Sequence, residues 1–303
     1  MNKIVGIGAN VFDTLYTVEK YPTEDTKLKA SAVKVSGGGP CATGLVAASK
    51  LGANCAFIGN LSDDNGGKFL KSDFEKYGVD TGFIKIKEGF DSFCSCIWLA
   101  KETASRTCVF SRGNVPPTVI DEDARRAIAA AEVLMVDGND LDAAVEGAKI
   151  AKENGTKVLY DCGGLYEGVE RLLALTDIMI PSEEFAIAHT GCKTAEEAAK
   201  KLFELYSPEV VVVTQGKNGG LLFDGKDLSR YPIYPADVVD SNGSGDVFHG
   251  AFAAGIIKGY EYLTCCHFSS AVSAIKCMGV GSRESVPDFE TVKKYLKENG
   301  YEL

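Results

Sequence analysis

The stretch DSNGSGDVFHGAFAAGIIKGY, residues 240–260, crowds Gly243, Ser244 and Gly245 into a turn and then runs directly into an apolar helical pattern. Small side chains there leave backbone N–H groups uncovered at a helix start, where the helix dipole adds partial positive charge. The turn is therefore shaped to hold an anion such as phosphate. Asp246 falls in the first helical turn beside that anion, where a general base for a substrate hydroxyl is needed. A glycine-rich turn with Asp246 as its helix cap accounts for the same residues without chemistry.

Upstream of this turn, short apolar runs recur at residues 4–9, 55–60, 132–138, 157–164, 177–182 and 209–216. Helical patterns lie between them at residues 43–50, 67–77, 121–131, 141–154, 165–175 and 194–206. Continuous rather than alternating apolar strands, separated by helices, predict a parallel sheet covered on both faces, with ligands at the carboxyl ends of the strands. Two stretches break this rhythm: residues 28–35, and the paired runs 93–100 and 105–110 joined by the polar segment 101–104. With no helix between them they read as antiparallel strands forming a small β lid over those carboxyl ends. The expectation is one domain over residues 1–303, with lid segments near 12–36 and 82–112.

The chain has 303 residues, 45% hydrophobic and 24% charged, the composition of a folded globular protein rather than a disordered or fibrous one. A net charge of -10 with no basic run argues against a nucleic-acid or anionic-membrane surface. The opening MNKIVGIGANVFD lacks a basic leader, and no apolar stretch reaches the ~18 residues of a membrane span. The expected location is cytoplasmic, which makes the ten cysteines reduced thiols rather than a disulfide framework. Cys94, Cys96 and Cys108 sit on candidate strands without a histidine pair and read as packing rather than as a metal site. Of the scattered His189, His249 and His267, only His249 falls one turn after Asp246.

DSNGSGDVFHGAF resembles the DTxGAGDxFxxGF signature of the ribokinase-like (PfkB-type) carbohydrate kinases, and SGGGPCATGLVAASKLGANCAFIGNLSDDNGG resembles their N-terminal signature. VTQGKNGG and AVSAIKCMGVGSRESVP fall in the family's order, so the resemblance runs from Gly8 to Pro287. It implies a three-layer α/β sandwich with a mostly parallel sheet and a β lid, acting as an ATP-dependent kinase on a sugar hydroxyl. Asp246 would then be the base, and Gly243, Ser244 and Gly245 the anion hole.

Further roles follow from the resemblance. Asp13, just past the first strand, would accept hydrogen bonds from sugar hydroxyls, against the alternative of a solvated loop or turn acid. Gly37, Gly38 and Gly39 would let a ligand approach the backbone, although a hinge explains them equally. Arg106 matches a lid arginine that meets an anionic substituent or the transferring phosphate, against the alternative of a plain surface arginine. Thr214, Gly216, Lys217 and Gly219 would border the nucleotide, with the purine against a helix carrying Ser270 and Ala274. Mg²⁺ would accompany ATP. Asp240, the backbone of Asn242 and Ser285 match a K⁺ site found in many members.

Two positions depart from the family pattern. The N-x-x-E motif that orders Mg²⁺-bound water reads Ser182-Glu183-Glu184-Phe185, leaving Glu183 or Glu184 as a substitute. Thr43 replaces the usual asparagine of GGxxAN, and the GGGPxAT form resembles the sulfofructose-kinase and ketohexokinase side of the family. A ketohexose or sulfosugar is therefore the favoured substrate class. A nucleoside kinase, or a non-catalytic sugar or nucleotide sensor on the same fold, are the competing readings. Lid strands with exposed apolar faces favour a homodimer.

Overall fold

The computed structural model describes residues 2–103 and 105–303. The amino-terminal half contains β1 (Ile4–Ile7), β2 (Val11–Val18), β3 (Ala32–Gly38), α1 (Pro40–Lys50), β4 (Cys55–Phe57), β5 (Gly59–Ser62), α2 (Asn65–Lys76), β6 (Ile84–Lys87), β7 (Cys94–Ala100), β8 (Ser105–Ser111), α3 (Glu122–Ala129), β9 (Val133–Val136) and α4 (Leu141–Asn154). Then follow β10 (Lys157–Cys162), α5 (Glu170–Leu173), β11 (Ile178–Pro181), α6 (Glu183–Thr190), α7 (Ala195–Tyr206), β12 (Val210–Thr214), β13 (Gly220–Phe223), β14 (Leu228–Tyr231), α8 (Ser244–Ile257), α9 (Tyr262–Cys277) and α10 (Phe289–Glu298).

All six apolar runs became neighbours in one eight-stranded sheet, ordered β14-β13-β12-β11-β10-β9-β1-β4. The strands from β12 to β4 run parallel, while β13 and β14 return antiparallel at one edge. Alternate side chains of each strand feed opposite faces, so Ile4, Met135 and Val212 enter one apolar cluster and Val5, Leu134 and Val213 the other. Helices α1, α8, α9 and α10 cover the first face, and α3, α4 and α7 the second. The ribokinase-like α/β expectation holds.

A second sheet, β3-β2-β7-β8, is the expected lid. Its hairpin pairs β7 with β8 from Cys94↔Ser111 to Ala100↔Ser105; Ala104, in the expected connection, lies outside the described residues. Three expectations need correction. The first lid strand begins at Ala32, not residue 28, and continues through Gly37 and Gly38. Asp13 lies on a strand, β2, whose alternating burial suits a sheet covered on one side and so escaped a search for continuous apolar runs. The helix expected over 165–175 shrinks to α5, because Gly168 takes a left-handed φ of 78°.

Candidate active site

Residues 240–246 form the expected turn at the start of α8. Gly243 is its N-cap with a left-handed φ of 73°, a conformation that costs a side-chain-bearing residue about 1 kcal/mol or more. Asp240 is buried, its two carboxylate oxygens accepting from the N–H of Asn242 at 2.8 Å and of Gly281 at 2.9 Å. Beside Gly245 there is open space, since a Cβ built there meets no atom within 4 Å.

Asp246 stands half-buried in the first turn of α8. Desolvation pushes its pKa up; His249 opposes this and Asp137 adds to it. Across the turn, Asp161 at the end of β10 is raised to about 7, again by burial first, with His249 opposing. His249 Nδ1 lies 2.6 Å from the Gly245 carbonyl and 3.3 Å from Asp161, and Nε2 lies 3.0 Å from the Ile180 carbonyl. Both ring nitrogens thus face main-chain or carboxylate oxygens. Asp161 carries no motif in the sequence, and His249 is buried against it one turn after Asp246.

The lid supplies Asp13 and Arg106. Asp13 is 6% exposed and accepts from Ser95 Oγ of β7 at 2.6 Å. Burial raises its pKa to about 6 against the opposing effects of Ser95 and Arg283, and Asp246 contributes to the rise. Arg106 Nη1 reaches from β8 to Ser241 Oγ at 3.3 Å, placing a cation beside the 240–246 turn. Asp13 and Arg106, 93 positions apart, therefore converge on the carboxylate end of the main sheet.

The glycine run is closely packed on the side where its side chains would stand. A Cβ at Gly37 would lie 2.1 Å from Arg283 Nη1, one at Gly38 1.9 Å from Asp13 Oδ2, and one at Gly39 2.5 Å from the Ala9 carbonyl. Their side-chain space is taken by protein, and a ligand can meet them only through the backbone. Arg283 is fully buried, donating to Asp73 at 2.7 Å, Asn10 Oδ1 at 2.9 Å and the Gly38 carbonyl at 2.6 Å. Asn10 Nδ2 has no partner among the described residues. None of Asn10, Asp73 or Arg283 was expected; the only sequence signal was Asn10 three residues before Asp13.

Asn10 also lines a cavity of about 260 Å³ with Asn60, Ser92, Phe93, Arg112 and Asn139. Asp13 and Asp246 lie outside its lining. The Arg112 guanidinium stands 5.8 Å from the Phe93 ring centre and 5.6 Å from that of Tyr166, and no carboxylate among the described residues lies within 4.0 Å of it. Thr43 is fully buried in α1, its hydroxyl unpartnered among the described residues.

On the other side of α8, Thr214 ends β12, and Gly216 and Lys217 are exposed in the turn that follows. Gly219, φ 79°, is buried against the Tyr231 carbonyl. Gln215 Nε2 donates to Glu183 Oε1 at 2.8 Å, which brings Glu183 to this turn. Ser182 caps α6, and Phe185 enters the core, so neither replaces the missing motif residues. Ser270 donates to the Pro232 carbonyl at 2.7 Å from α9, with Ala274 one turn further on. Ser285 donates to the Val280 carbonyl at 3.0 Å. No group of three or more His, Cys, Asp or Glu side chains among the described residues is placed to hold a metal.

A model of the pfkB family carbohydrate kinases matches residues 1–288. A bifunctional ribokinase/ribose-5-phosphate isomerase A of Fructilactobacillus sanfranciscensis is 28% identical over 99% of this chain, which spans 57% of that relative's length. A 5-dehydro-2-deoxygluconokinase of Clostridium perfringens is 28% identical over 88% of this chain and 85% of its own. The solved structure of Arabidopsis thaliana ribokinase complexed with ribose and ATP matches with a TM-score of 0.88 at 25% identity, covering 98% of this chain and 99% of that one. The chain belongs to the pfkB family of carbohydrate kinases, phosphotransferases that act on an alcohol group. No helix among the described residues is long and apolar enough to cross a membrane.

Proposed function

We propose that this chain transfers the γ-phosphate of MgATP to a hydroxyl of a small sugar derivative carrying an anionic substituent. The observation that supports the transfer is Asp246 in the first turn of α8, behind the open face of Gly245 and across from lid Arg106. Asp246 accepts the hydroxyl proton as the sugar oxygen bonds to the γ-phosphorus and the bond to the bridging oxygen breaks, releasing MgADP. The amides of Gly243, Ser244 and Gly245 hold the transferring charge. Glu183, held by Gln215, would hold a water of the Mg²⁺ that accompanies ATP, and the ion would supply charge neutralisation at the phosphates.

Asp13 and Asn10 hold sugar hydroxyls. Arg112, aligned by two rings and lacking a carboxylate partner, favours a sulfonate, carboxylate or phosphate on the substrate. The lid excludes water, which would otherwise hydrolyse ATP. Exposed Val33, Val109 and Phe110 on the lid strands support pairing of two copies. The protein works in the cytoplasm, where its cysteines stay free.

ADP release from MgATP across ketoses, aldoses, sugar acids, sulfosugars and nucleosides tests this reading. Turnover is expected only with a sugar bearing an anionic group. Asp246→Asn should lower kcat by about 10³-fold while leaving MgADP affinity within a few-fold. Equal turnover by the variant would remove Asp246 as the base, and turnover with nucleosides alone would replace the substrate class.

A further inference from the structure

Lys276, in the last turn of α9, is 0% exposed, an unusual position for a lysine. Its Nζ donates to the Asp240 main-chain carbonyl at 2.8 Å and lies 4.0 Å from Asp240 Oδ2. Both Asp240 carboxylate oxygens already accept from main-chain N–H groups, of Asn242 and Gly281. A buried ammonium is tolerated only where it is paired and hydrogen-bonded, and here its partner is the residue that opens the phosphate-binding turn. Burial lowers the Lys276 pKa, and Asp240 opposes that shift.

Asp240, the Asn242 backbone and Ser285 are the residues that match a family site for K⁺. They do not fit one here. K⁺ needs a shell of oxygens, but Asp240 offers a carbonyl and a carboxylate that already face an ammonium, and Ser285 Oγ is turned to the Val280 carbonyl. A second cation beside Asp240 would be repelled by the first at close range.

We propose that the Lys276 ammonium takes the place of the monovalent cation, so that nucleotide binding by this chain is independent of K⁺. The ammonium ties α9 to Asp240, fixing the start of the turn whose amides meet phosphate, and supplies the positive charge a bound ion would bring. The proposal rests on reading residues 240–246 as the nucleotide phosphate site.

The test is calorimetric titration of MgADP at constant ionic strength in potassium, sodium or tetramethylammonium chloride, with thermal melts of the protein in the same salts. Wild type is expected to bind with the same Kd within twofold in all three and to melt at the same temperature. Lys276→Met should bind at least tenfold more weakly in every salt. Lys276→Ala, which leaves room for an ion, should be equally weak in tetramethylammonium and recover in K⁺. A tenfold gain in wild-type affinity, or a higher wild-type melting temperature, in K⁺ over tetramethylammonium overturns the proposal and needs no variant. Wild-type affinity retained by Lys276→Met in tetramethylammonium also overturns it. Failure of wild type to bind MgADP in any salt removes the nucleotide site itself, an outcome distinct from a cation effect on measurable binding.

Discussion

A methyl group added at Gly38 would lie 1.9 Å from an Asp13 carboxylate oxygen, whereas one added at Gly245 would meet nothing within 4 Å. Both residues sit in runs of small residues that look alike in the sequence, and both border the same site. The first run is small because protein fills the space: Arg283 over Gly37, Asp13 over Gly38 and the Ala9 carbonyl over Gly39. At Gly245 nothing in the chain explains the missing side chain, and the space lies where phosphate is proposed to bind. Absent side chains thus serve packing of charged groups at Gly37–Gly39, the side proposed for sugar, and leave open space at Gly245, the side proposed for nucleotide.

The largest expected effect is at Gly38. In Gly38→Ala the new Cβ collides with the Asp13 carboxylate, which Ser95 holds at 2.6 Å. Overpacking of this kind costs about 1–3 kcal/mol, and the displaced carboxylate can no longer meet a sugar. Sugar turnover should fall by about 10³-fold or more, with a lower melting temperature. An unchanged sugar KM would mean that the run is spacious after all.

Gly245→Ala should go the other way in stability. The residue lies inside the first turn of α8 without a positive φ, so alanine gains about 0.5–1 kcal/mol of helix stability and raises the melting temperature slightly. Its methyl occupies the phosphate approach, so kcat with the best sugar should drop about 10²-fold. A variant both more stable and fully active would show that phosphate lies elsewhere.

The sequence displayed the nucleotide half of this contrast better than the sugar half. The 240–246 turn, the six parallel strands and the β7–β8 hairpin are local patterns, readable from apolar runs and small residues within a few positions. The packed half depends on contacts between distant residues: Arg283 bonds Asp73 and Asn10 across 210 and 273 positions. No periodicity marks such pairs, so Gly37 and Gly38 read as backbone open to a ligand or as a hinge. His249 with Asp161, and Lys276 with Asp240, were hidden for the same reason, since each looks in sequence like an ordinary helix residue. Asp13 was found by resemblance but placed just past a strand, because β2 alternates in burial and breaks the continuous-run pattern that revealed the main sheet.

The smallest of the three effects follows from how tightly the sugar side is packed. Burial raises the Asp13 pKa to about 6, so the folded chain holds that proton more firmly than the unfolded chain, where the ordinary value is near 3.8. An acid shifted upward weakens the fold as pH rises from the unfolded to the folded value, and the full cost is present above about pH 6. A shift of about two units corresponds to on the order of 2–3 kcal/mol, so Asp13→Asn should melt higher than wild type at pH 7.5, with the gap closing near pH 4. Function runs opposite, because only the ionised carboxylate accepts from two hydroxyls at once. Direct titration of sugar into wild type should show affinity falling about tenfold between pH 7 and pH 5, while MgADP affinity, set at the open run around Gly245, holds steady. If both ligands weaken together, the titrating group belongs to the shared centre around Asp246 and Asp161 rather than to the packed side, and the division between the two glycine runs does not extend to their charges.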